Sequence, residues 1–272
     1  MSTQSSVGEH LRDWRRRRRM TQMDLALDAE ISPKHLSFIE TGRSQPSRQM
    51  LLHLAEQLEV PLRERNAMLI AGGYAPVYPE RSLDAPDLAA ARRAVELILK
   101  GHEPFPALAV DRHWNLVSAN AAAMAFLAVD AELLAPPLNV LRLSLHPRGL
   151  ASKIVNLAEW RAHLLDRLRR QIDATADTEL EALHAELKAF PAPPTAVGVP
   201  QGADYGGVAV PMKLQTELGV LALISTTTVF GTPVDVTLSE LALETFFPAD
   251  DFTAKALISL AAQRQQEGEA AA

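Results

Sequence analysis

Residues 20–46 constrain the fold most strongly, because they contain the signals for two short helices joined by a tight turn. Thr21, with an acidic residue three positions later, has the pattern of a capping box at a helix N-terminus. Ser32 and Pro33 predict a second helix start, since serine caps free backbone N–H groups and proline is tolerated at the first helical position. Gly42 predicts its end. Two helices this short bury too little apolar surface to fold alone, so the pattern favours a helix-turn-helix whose second helix lies in the DNA major groove.

Helical spacing of apolar residues continues on both sides of this segment. A first helix is predicted over 7–19, where five consecutive arginines point all round the helix axis and therefore cannot form one patch. Ser47 predicts the start of a fourth helix and Pro61 the start of a fifth, which ends near Gly72. The sequence thus predicts an all-α five-helix domain over 7–72.

This part of the chain resembles the lambda repressor/Cro class of proteins, also called XRE-type regulators. The residues that carry the resemblance are Thr21-Gln22, Leu25-Ala26, Ser32, Leu36-Ser37, Ile39-Glu40 and Gly42-Arg43. The resemblance implies binding of double-stranded operator DNA. It also implies an ion pair between Arg15 and Glu40 in helices 1 and 3, which we expect to be partly exposed and worth about 0–1 kcal/mol. The alternative is a helical bundle that only docks another protein.

Charge is distributed unevenly along the 272 residues, whose net charge is −6. Residues 1–72 carry 11 Lys and Arg against 9 Asp and Glu, whereas residues 73–272 carry 16 against 24. The asymmetry favours a polyanionic partner for the N-terminal part and argues against nucleic-acid binding by the rest. There is no cysteine, so disulfides and thiolate chemistry are excluded, and no apolar run of membrane-spanning length or signal peptide is seen. A cytoplasmic protein is expected.

The remaining chain predicts a linker over 73–86, which is proline-rich, a second domain over 87–265, and a disordered tail over 266–272. Two short strands near 107–118 are followed by helices and then by three more strands. This order is typical of a PAS-like α+β domain, in which an antiparallel sheet and a helical layer enclose a cavity. The helices are expected over 87–100, 120–129, 138–146, 153–172, 177–189 and 250–263, and the later strands over 206–214, 219–230 and 236–247.

The second domain resembles the MmyB-like ligand-binding domain, whose members carry a repressor-type domain before it. The segments that carry the resemblance are 139–150, 156–160, 228–241 and 244–250, with 72–76 and 102–104 at the join. The resemblance implies a PAS-like pocket for a small apolar ligand, a fatty acid in at least one member. Since DNA half-sites come in pairs, a homodimer is expected.

The candidate DNA contacts lie on and around the second helix of the motif. Gln22 begins helix 2 and can contact a phosphate in this class, helped by the helix N-terminus. Lys34 can reach guanine, while His35 can reach a base edge or a phosphate. Solvated surface is the alternative for each residue. The full candidate set is Gln22, Ser32, Lys34, His35, Ser37, Arg43, Ser44 and Arg48.

The candidate ligand contacts combine polar and aromatic residues. A carboxylate head group requires Arg or charged His, because burying an unpaired anion is costly, so Arg142 and His146 are the candidates. The alternative is that Arg142 pairs with an acid and His146 caps a helix. The other candidates, which can equally be ordinary core or caps, are Trp114, Asn120, Phe126, Trp160, Leu164, Phe230 and Phe246.

Other functional classes receive little support from the sequence. No nucleophile elbow, phosphate loop or metalloprotease motif is present, so neither an enzyme nor a metal or cofactor site is expected. Three rivals remain open at this point. They are a DNA-binding protein whose C-terminal domain only dimerises or docks a protein, an enzyme tethered to a DNA-binding domain, and a flavin or haem sensor.

Overall fold

The structure is a computed structural model that describes residues 6–127, 131–191 and 210–270. The chain divides into two compact units. Unit 1 contains Met1–Arg81, Asp173–Ala176 and Thr232–Ser239, and unit 2 contains the remainder. Among the described residues, none of the helices combines the length and the apolar content needed to cross a bilayer.

Unit 1 contains the five predicted N-terminal helices, which confirms the all-α domain. Their starts follow from capping chemistry: Ser6 and Thr21 each form a complete capping box, and the Ser32 and Ser47 side chains accept backbone N–H groups three residues later. The helices are α1 (Val7–Arg17), α2 (Gln22–Asp28), α3 (Pro33–Glu40), α4 (Arg48–Gln57) and α5 (Leu62–Ala71).

The core of unit 1 fixes the orientation of α3. Leu36 and Ile39 are fully buried with leucines of α1, α2 and α4, so the opposite side of α3 faces solvent. Gly8 lies where α1 crosses α3, because a Cβ atom there would come within 2.6 Å of the Ile39 carbonyl oxygen. Gly42 follows α3 with a φ of +72°, a left-handed conformation that glycine adopts without strain.

Unit 2 is built on one antiparallel sheet of five strands in the order β2-β1-β5-β4-β3. The strands are β1 (Ala107–Val110), β2 (Leu116–Ala119), β3 (Met212–Thr216), β4 (Gly219–Val229) and β5 (Ala242–Pro248). The helices after α5 are α6 (Ala89–Gly101), α7 (Ala121–Met124), α8 (Val140–Leu145), α9 (Leu157–Thr175), α10 (Thr178–Ala189), α11 (Val236–Ser239) and α12 (Asp251–Ala270). Of these, α11 and the last residues of α9 belong to unit 1. This arrangement confirms the α+β class of the second domain.

The two faces of the sheet pack against different helices. One face places Val110, Leu221 and Leu223 in a cluster with buried residues of α8, α9 and α10. The other face places Ala107, Ala109 and Leu243 in a smaller cluster with Val95 and Leu99 of α6. Among the described residues, the cluster on one side of the sheet thus draws on several helices, called here the thick helical layer, and the cluster on the other side draws on α6.

Three expectations from the sequence differ from the structure. The last strand was expected over 236–247, but α11 precedes it and β5 runs over Ala242–Pro248, because the Asp235 side chain caps Thr237 and starts a helical turn. The alanine-rich helix ends at Met124 and continues as a 3-10 turn to Leu127. The tail expected to be disordered is helical as far as Ala270. Residues 128–130, 206–209 and 271–272 lie outside the described parts of the chain.

Candidate functional site

The first turn of α3 presents the predicted reading residues. Ser32 caps the helix, with its hydroxyl accepting the His35 N–H at 3.1 Å. Lys34 is exposed and His35 is half-buried, while the buried side of the helix is apolar. The cap thus leaves Lys34 on the outer side of a short, well-anchored helix.

Phe38 lies between two cations on the outer side of α3. The Lys34 ammonium is 5.7 Å and the Arg43 guanidinium 5.8 Å from the centre of the Phe38 ring. Both distances are within the range of cation–π attraction, which is worth about 0.5–1 kcal/mol at an exposed site. Phe38 was not among the predicted site residues, and its position beside α3's apolar stripe was the only signal for it.

The other predicted flanking residues follow α3. The backbone N–H groups of Arg43 and Ser44 both donate to the Phe38 carbonyl oxygen, at 2.8 and 3.1 Å. The Ser37 carbonyl oxygen accepts the Thr41 hydroxyl at 2.7 Å. Ser37 itself is half-buried. Arg48 is exposed at the first position of α4. These residues therefore lie on α3, in the turn after it and at the start of α4, and their DNA contacts stay a prediction.

A buried polar cluster holds α3 against α1 and α2. The Arg15 guanidinium donates to both carboxylate oxygens of Glu40, at 2.6 and 2.8 Å, and the Gln22 side-chain amide donates to the same carboxylate at 2.8 Å. Arg12 donates to the Glu40 backbone carbonyl at 2.5 Å. The predicted Arg15–Glu40 ion pair is therefore confirmed.

The expected exposure of this pair was wrong. Glu40 is 2% exposed and Arg15 is 9% exposed, so the pair is buried in the domain. Burial alone would raise the pKa of Glu40, but hydrogen bonds from Arg15 and Gln22 and the Arg15 and Arg12 charges outweigh it, so its pKa is lowered.

Gln22 and the arginine run form hydrogen bonds within unit 1. One of the two Gln22 amide hydrogens is used by Glu40, and the residue remains half-buried at the start of α2. In the arginine run, Arg18 donates to the Leu58 and Glu59 carbonyls at 2.8 and 2.9 Å and lies over Trp14. Since Arg15 is buried, the run does not form one continuous basic patch.

Most of the apolar ligand candidates lie in unit 2 between the sheet and its thick helical layer. Trp114, Trp160 and Leu164 are buried in one cluster, and Phe126 and Phe246 pack against it. The Trp160 indole donates to the Ser144 hydroxyl at 3.0 Å. The structure thus brings these five side chains to the same face of the sheet.

Phe230 does not belong with the other aromatic candidates. It follows the end of β4 and packs against the cluster formed by α6 with Leu243 on the opposite face of the sheet. Phe230 follows Thr228 by two residues, and Thr228 lies opposite Leu243, so Phe230 continues the side of β4 that faces α6. The structure therefore does not bring Phe230 together with the other aromatic candidates, and its ligand role stays a prediction.

Arg142 lies on α8, and His146 directly follows the last residue of that helix as its C-cap. Arg142 forms a two-point ion pair with Glu186 of α10, at 2.6 and 2.7 Å, and both side chains are about two-fifths exposed, at 39% and 40%. Hydrogen bonds from Arg142 lower the pKa of Glu186 despite partial burial, and the His146 charge adds to this. The His146 ring packs edge-on against Phe190 with centroids 5.1 Å apart.

Asn120 has a structural role in unit 2. Its side-chain oxygen accepts the Ala107 and Ala123 N–H groups, and its nitrogen donates to the Leu99 and Phe105 carbonyls. Both amide hydrogens are therefore used, and the residue ties α6, β1 and α7 together. A ligand contact by the Asn120 amide hydrogens would require breaking one of these bonds.

A second buried ion pair was not found by sequence reasoning. Arg167 of α9 donates to both carboxylate oxygens of Glu244 on β5, one of them at 3.0 Å, and to the Thr227 hydroxyl at 2.6 Å. Its guanidinium also lies 4.5 Å from the centre of the Trp114 ring. An acidic residue at an inward position of an apolar strand was the available signal, since such a carboxylate needs a cationic partner.

Trp114 and His163 complete this polar cluster. Trp114 adopts a φ of +68° after the β1–β2 turn, and its indole donates to the Gln171 side-chain oxygen at 2.8 Å. His163 stacks on Trp160, and burial, followed by the charges of Arg167 and Arg170, lowers its pKa. The helical layer therefore contains a polar cluster beside its apolar core.

Two family models match the chain. The model of the MmyB-like transcription regulator ligand binding domain matches residues 91–260, which is more than half of the 272 residues. The model of a helix-turn-helix domain matches residues 6–68. No curated protein matches the chain. The second match falls within unit 1, and most of the first falls within unit 2.

Proposed function

The chain belongs to the MmyB-like transcription regulators, and we propose that it binds operator DNA as a homodimer and responds to a small apolar ligand. DNA binding is assigned to the helix-turn-helix domain, and ligand binding to the sheet and helices of unit 2, in a PAS-like pocket. Because its proposed partner is the genome of the cell that makes it, we place its action in the cytoplasm.

The exposed first turn of α3 is the observation that carries the DNA-binding proposal. It presents Lys34 and His35 on a helix that the hydrogen bonds of Arg15 and Gln22 to Glu40 hold in place. Arg43 and Arg48 flank it as candidates for phosphate contacts. A lysine that contacts a guanine edge contributes about 1–3 kcal/mol of discrimination against the wrong base.

Selection of duplexes from a random pool by the full-length chain tests this proposal. We expect enrichment of a two-part site, since each subunit of a dimer reads one half-site. Lys34→Ala should then lose discrimination between the selected site and a variant with one altered base pair. Arg48→Ala serves as the matched control, because loss of a phosphate contact weakens all duplexes alike. Equal weakening of every duplex by Lys34→Ala would show that Lys34 contacts phosphate rather than a base.

For the ligand we propose a fatty acid or a similar chain with an anionic head group. The apolar side chains on one face of the sheet, with Trp160 and Leu164 among them, would contact the acyl chain of the ligand. Arg142 and His146 are the proposed head-group residues, and a ligand carboxylate would take the place of Glu186 as the partner of Arg142. Both side chains of that pair reach solvent, so their exchange of partners does not bury an unpaired charge.

Arg142→Ala tests the head-group assignment. Binding of saturated fatty acids of increasing length is compared with binding of the matching alcohols. A contact with the carboxylate should cost the acids about tenfold or more in affinity, since charge-assisted hydrogen bonds contribute about 1.5–3 kcal/mol, and should leave the alcohols nearly unchanged. Equal losses for acids and alcohols would show that Arg142 only supports the fold.

The alternative is that unit 2 only mediates dimerisation or docks a protein partner. The close burial of Trp160 and Leu164, each 4% exposed, favours it, since a fully packed interior needs no ligand. Mass spectrometry of an organic extract of the purified chain distinguishes the two: a stoichiometric acyl compound supports the sensor, and its absence together with no fatty-acid binding supports the alternative.

A further inference from the structure

In the parts of the chain that the structure describes, no helix covers part of one face of the unit 2 sheet. On β4, Ile224 lies opposite Phe247 of β5, and Thr228 lies opposite Leu243. Because Leu243 packs with α6, and directly opposed residues share a face, Ile224, Thr226 and Thr228 lie on the α6 side of the sheet. Thr226, Thr228 and Phe247 are exposed there.

Helix α6 adds apolar side chains to the same exposed area. Leu97 is 71% exposed and Ile98 is 41% exposed. On one flank of α6, Glu96 and Lys100 line a cavity of about 220 Å³ together with Ser118 of β2. The helical period places Ile98 on the opposite flank, and β5 and β4 lie on that side of β1 in the strand order.

The helix and the strands form one continuous surface. The His102 ring, directly after α6, lies with its centroid 4.7 Å from that of the Phe247 ring, which faces Ile224 across the β5–β4 ladder. The six side chains that define this surface, called here the α6–β4 face, carry no formal charge. They are Leu97, Ile98, Ile224, Thr226, Thr228 and Phe247.

We propose that a second copy of this chain docks on the α6–β4 face, so that the face is the dimer interface. This inference rests on the proposed function, in which two reading helices must be joined to bind a two-part site. In a two-fold dimer the same patch meets itself, so a charged patch would place like charges together, whereas an uncharged patch is compatible with itself.

The charge of the chain gives a second argument for this face. Residues 73–272 carry 16 basic against 24 acidic residues, so two copies of this region repel each other where their charged surfaces meet. An uncharged apolar face permits close contact at the lowest electrostatic cost. The exposed threonines of β4 can also pair with polar groups of the partner at the edge of the contact.

Arginine substitutions on two different elements test the interface. In Ile98→Arg and Thr228→Arg, a charge lies on α6 or on β4, at exposed positions where the fold itself should tolerate it. Ile258→Arg is the matched control, because Ile258 is 54% exposed on α12 and lies outside the α6–β4 face. The mass of each full-length protein is measured by sedimentation equilibrium over a range of concentrations, with circular dichroism as the check on folding.

We expect a dimer for the wild type and for Ile258→Arg, and at least a tenfold weaker dimer for both face variants with unchanged circular dichroism. A monomeric wild type would overturn the inference, as would face variants that dimerise as tightly as the wild type. Duplex binding is measured on the same samples. Specific DNA binding with unaffected dimerisation of the face variants would refute the interface and leave the proposed function standing. A dimer that depends on this face but binds no specific DNA would support the interface and refute the proposed DNA binding.

Discussion

Replacement of Glu40 by glutamine tests how α3 is held in place. Glu40 is almost fully buried and receives hydrogen bonds from Arg15 at 2.6 and 2.8 Å and from Gln22 at 2.8 Å. Glu40→Gln keeps the shape of the side chain but leaves the buried Arg15 guanidinium without its counter-charge. Breaking a buried pair by removing one partner costs about 3–5 kcal/mol. This is a large part of the roughly 5–15 kcal/mol by which a domain is stable.

The matched control is Glu186→Gln, which removes a pair of the same geometry at a solvent-exposed site. Glu186 is bound by Arg142 at 2.6 and 2.7 Å, but both side chains are about two-fifths exposed. Water screens such a pair and solvates the partner that is left, so we expect a loss of only about 0–1 kcal/mol. The contrast between the two variants isolates burial as the cause.

Hydrogen exchange of the full-length chain, followed by mass spectrometry, measures the first effect in unit 1 and the second in unit 2. Peptides from α1 to α3 should lose protection in Glu40→Gln by a factor that corresponds to about 3–5 kcal/mol. In Glu186→Gln, the protection of the α8 and α10 peptides should change little from the wild type. Local exchange is used because a two-unit chain does not give a single unfolding free energy. Equal and small losses in both variants would refute the argument from burial.

The same cluster predicts a pH dependence of the stability of unit 1. The pKa of Glu40 is lowered from its ordinary value of 4.5, so the folded state binds its proton less readily than the unfolded state. The contribution of Glu40 is therefore fully present above about pH 5 and is lost as the pH falls through the folded-state pKa. In Glu40→Gln, the acid-induced loss of protection in α3 should be smaller than in the wild type.

The remaining predictions concern packing and the second ion pair. Gly8→Ala should destabilise unit 1 by about 1–3 kcal/mol, because the new methyl group would overlap the Ile39 carbonyl; hydrogen exchange of the α1 and α3 peptides measures this. Gly101→Ala, where no atom lies within 4 Å, should be neutral or stabilise α6 by up to about 1 kcal/mol, and a loss there would contradict the packing argument. Glu244→Gln should destabilise unit 2 by about 3–5 kcal/mol and change the tryptophan fluorescence, since Arg167 would lose its counter-charge beside an indole; unchanged exchange protection of the α9 and β5 peptides would contradict it.

The helix-turn-helix domain could be predicted from the sequence because its signals are local. Thr21 and Ser32 satisfy backbone groups within their own first turns, so the sequence near them determines where each helix begins. The resemblance to the lambda repressor/Cro class implied the Arg15–Glu40 pair. Neither the resemblance nor the capping signals show how deeply a side chain is buried, so the pair was expected to be partly exposed. Its burial arises where α1 meets α3, and the two residues are 25 positions apart, so no local signal contains it.

Unit 2 could be predicted in outline but not at its candidate site. The alternation of β4 identified a strand, yet it could not show which of its two sides faces the thick helical layer, and Phe230 belongs to the side that faces α6. The Arg167–Glu244 pair joins residues 77 positions apart, and nothing in either local segment shows the other. Partner choice among distant charged residues depends on the register of strands and helices, which the pattern of a single segment does not contain.

The most direct test of ligand-responsive DNA binding is the affinity of the full-length chain for its selected duplex with and without ligand. The protein is freed of bound lipid, and the dissociation constant for the duplex is measured before and after addition of the tightest-binding fatty acid. We predict a change of about fivefold or more, because allosteric coupling contributes about 1–3 kcal/mol, and the duplex should change the fatty-acid affinity by the same factor. Specific DNA binding with the same dissociation constant in both states would contradict the proposal that the ligand controls DNA binding.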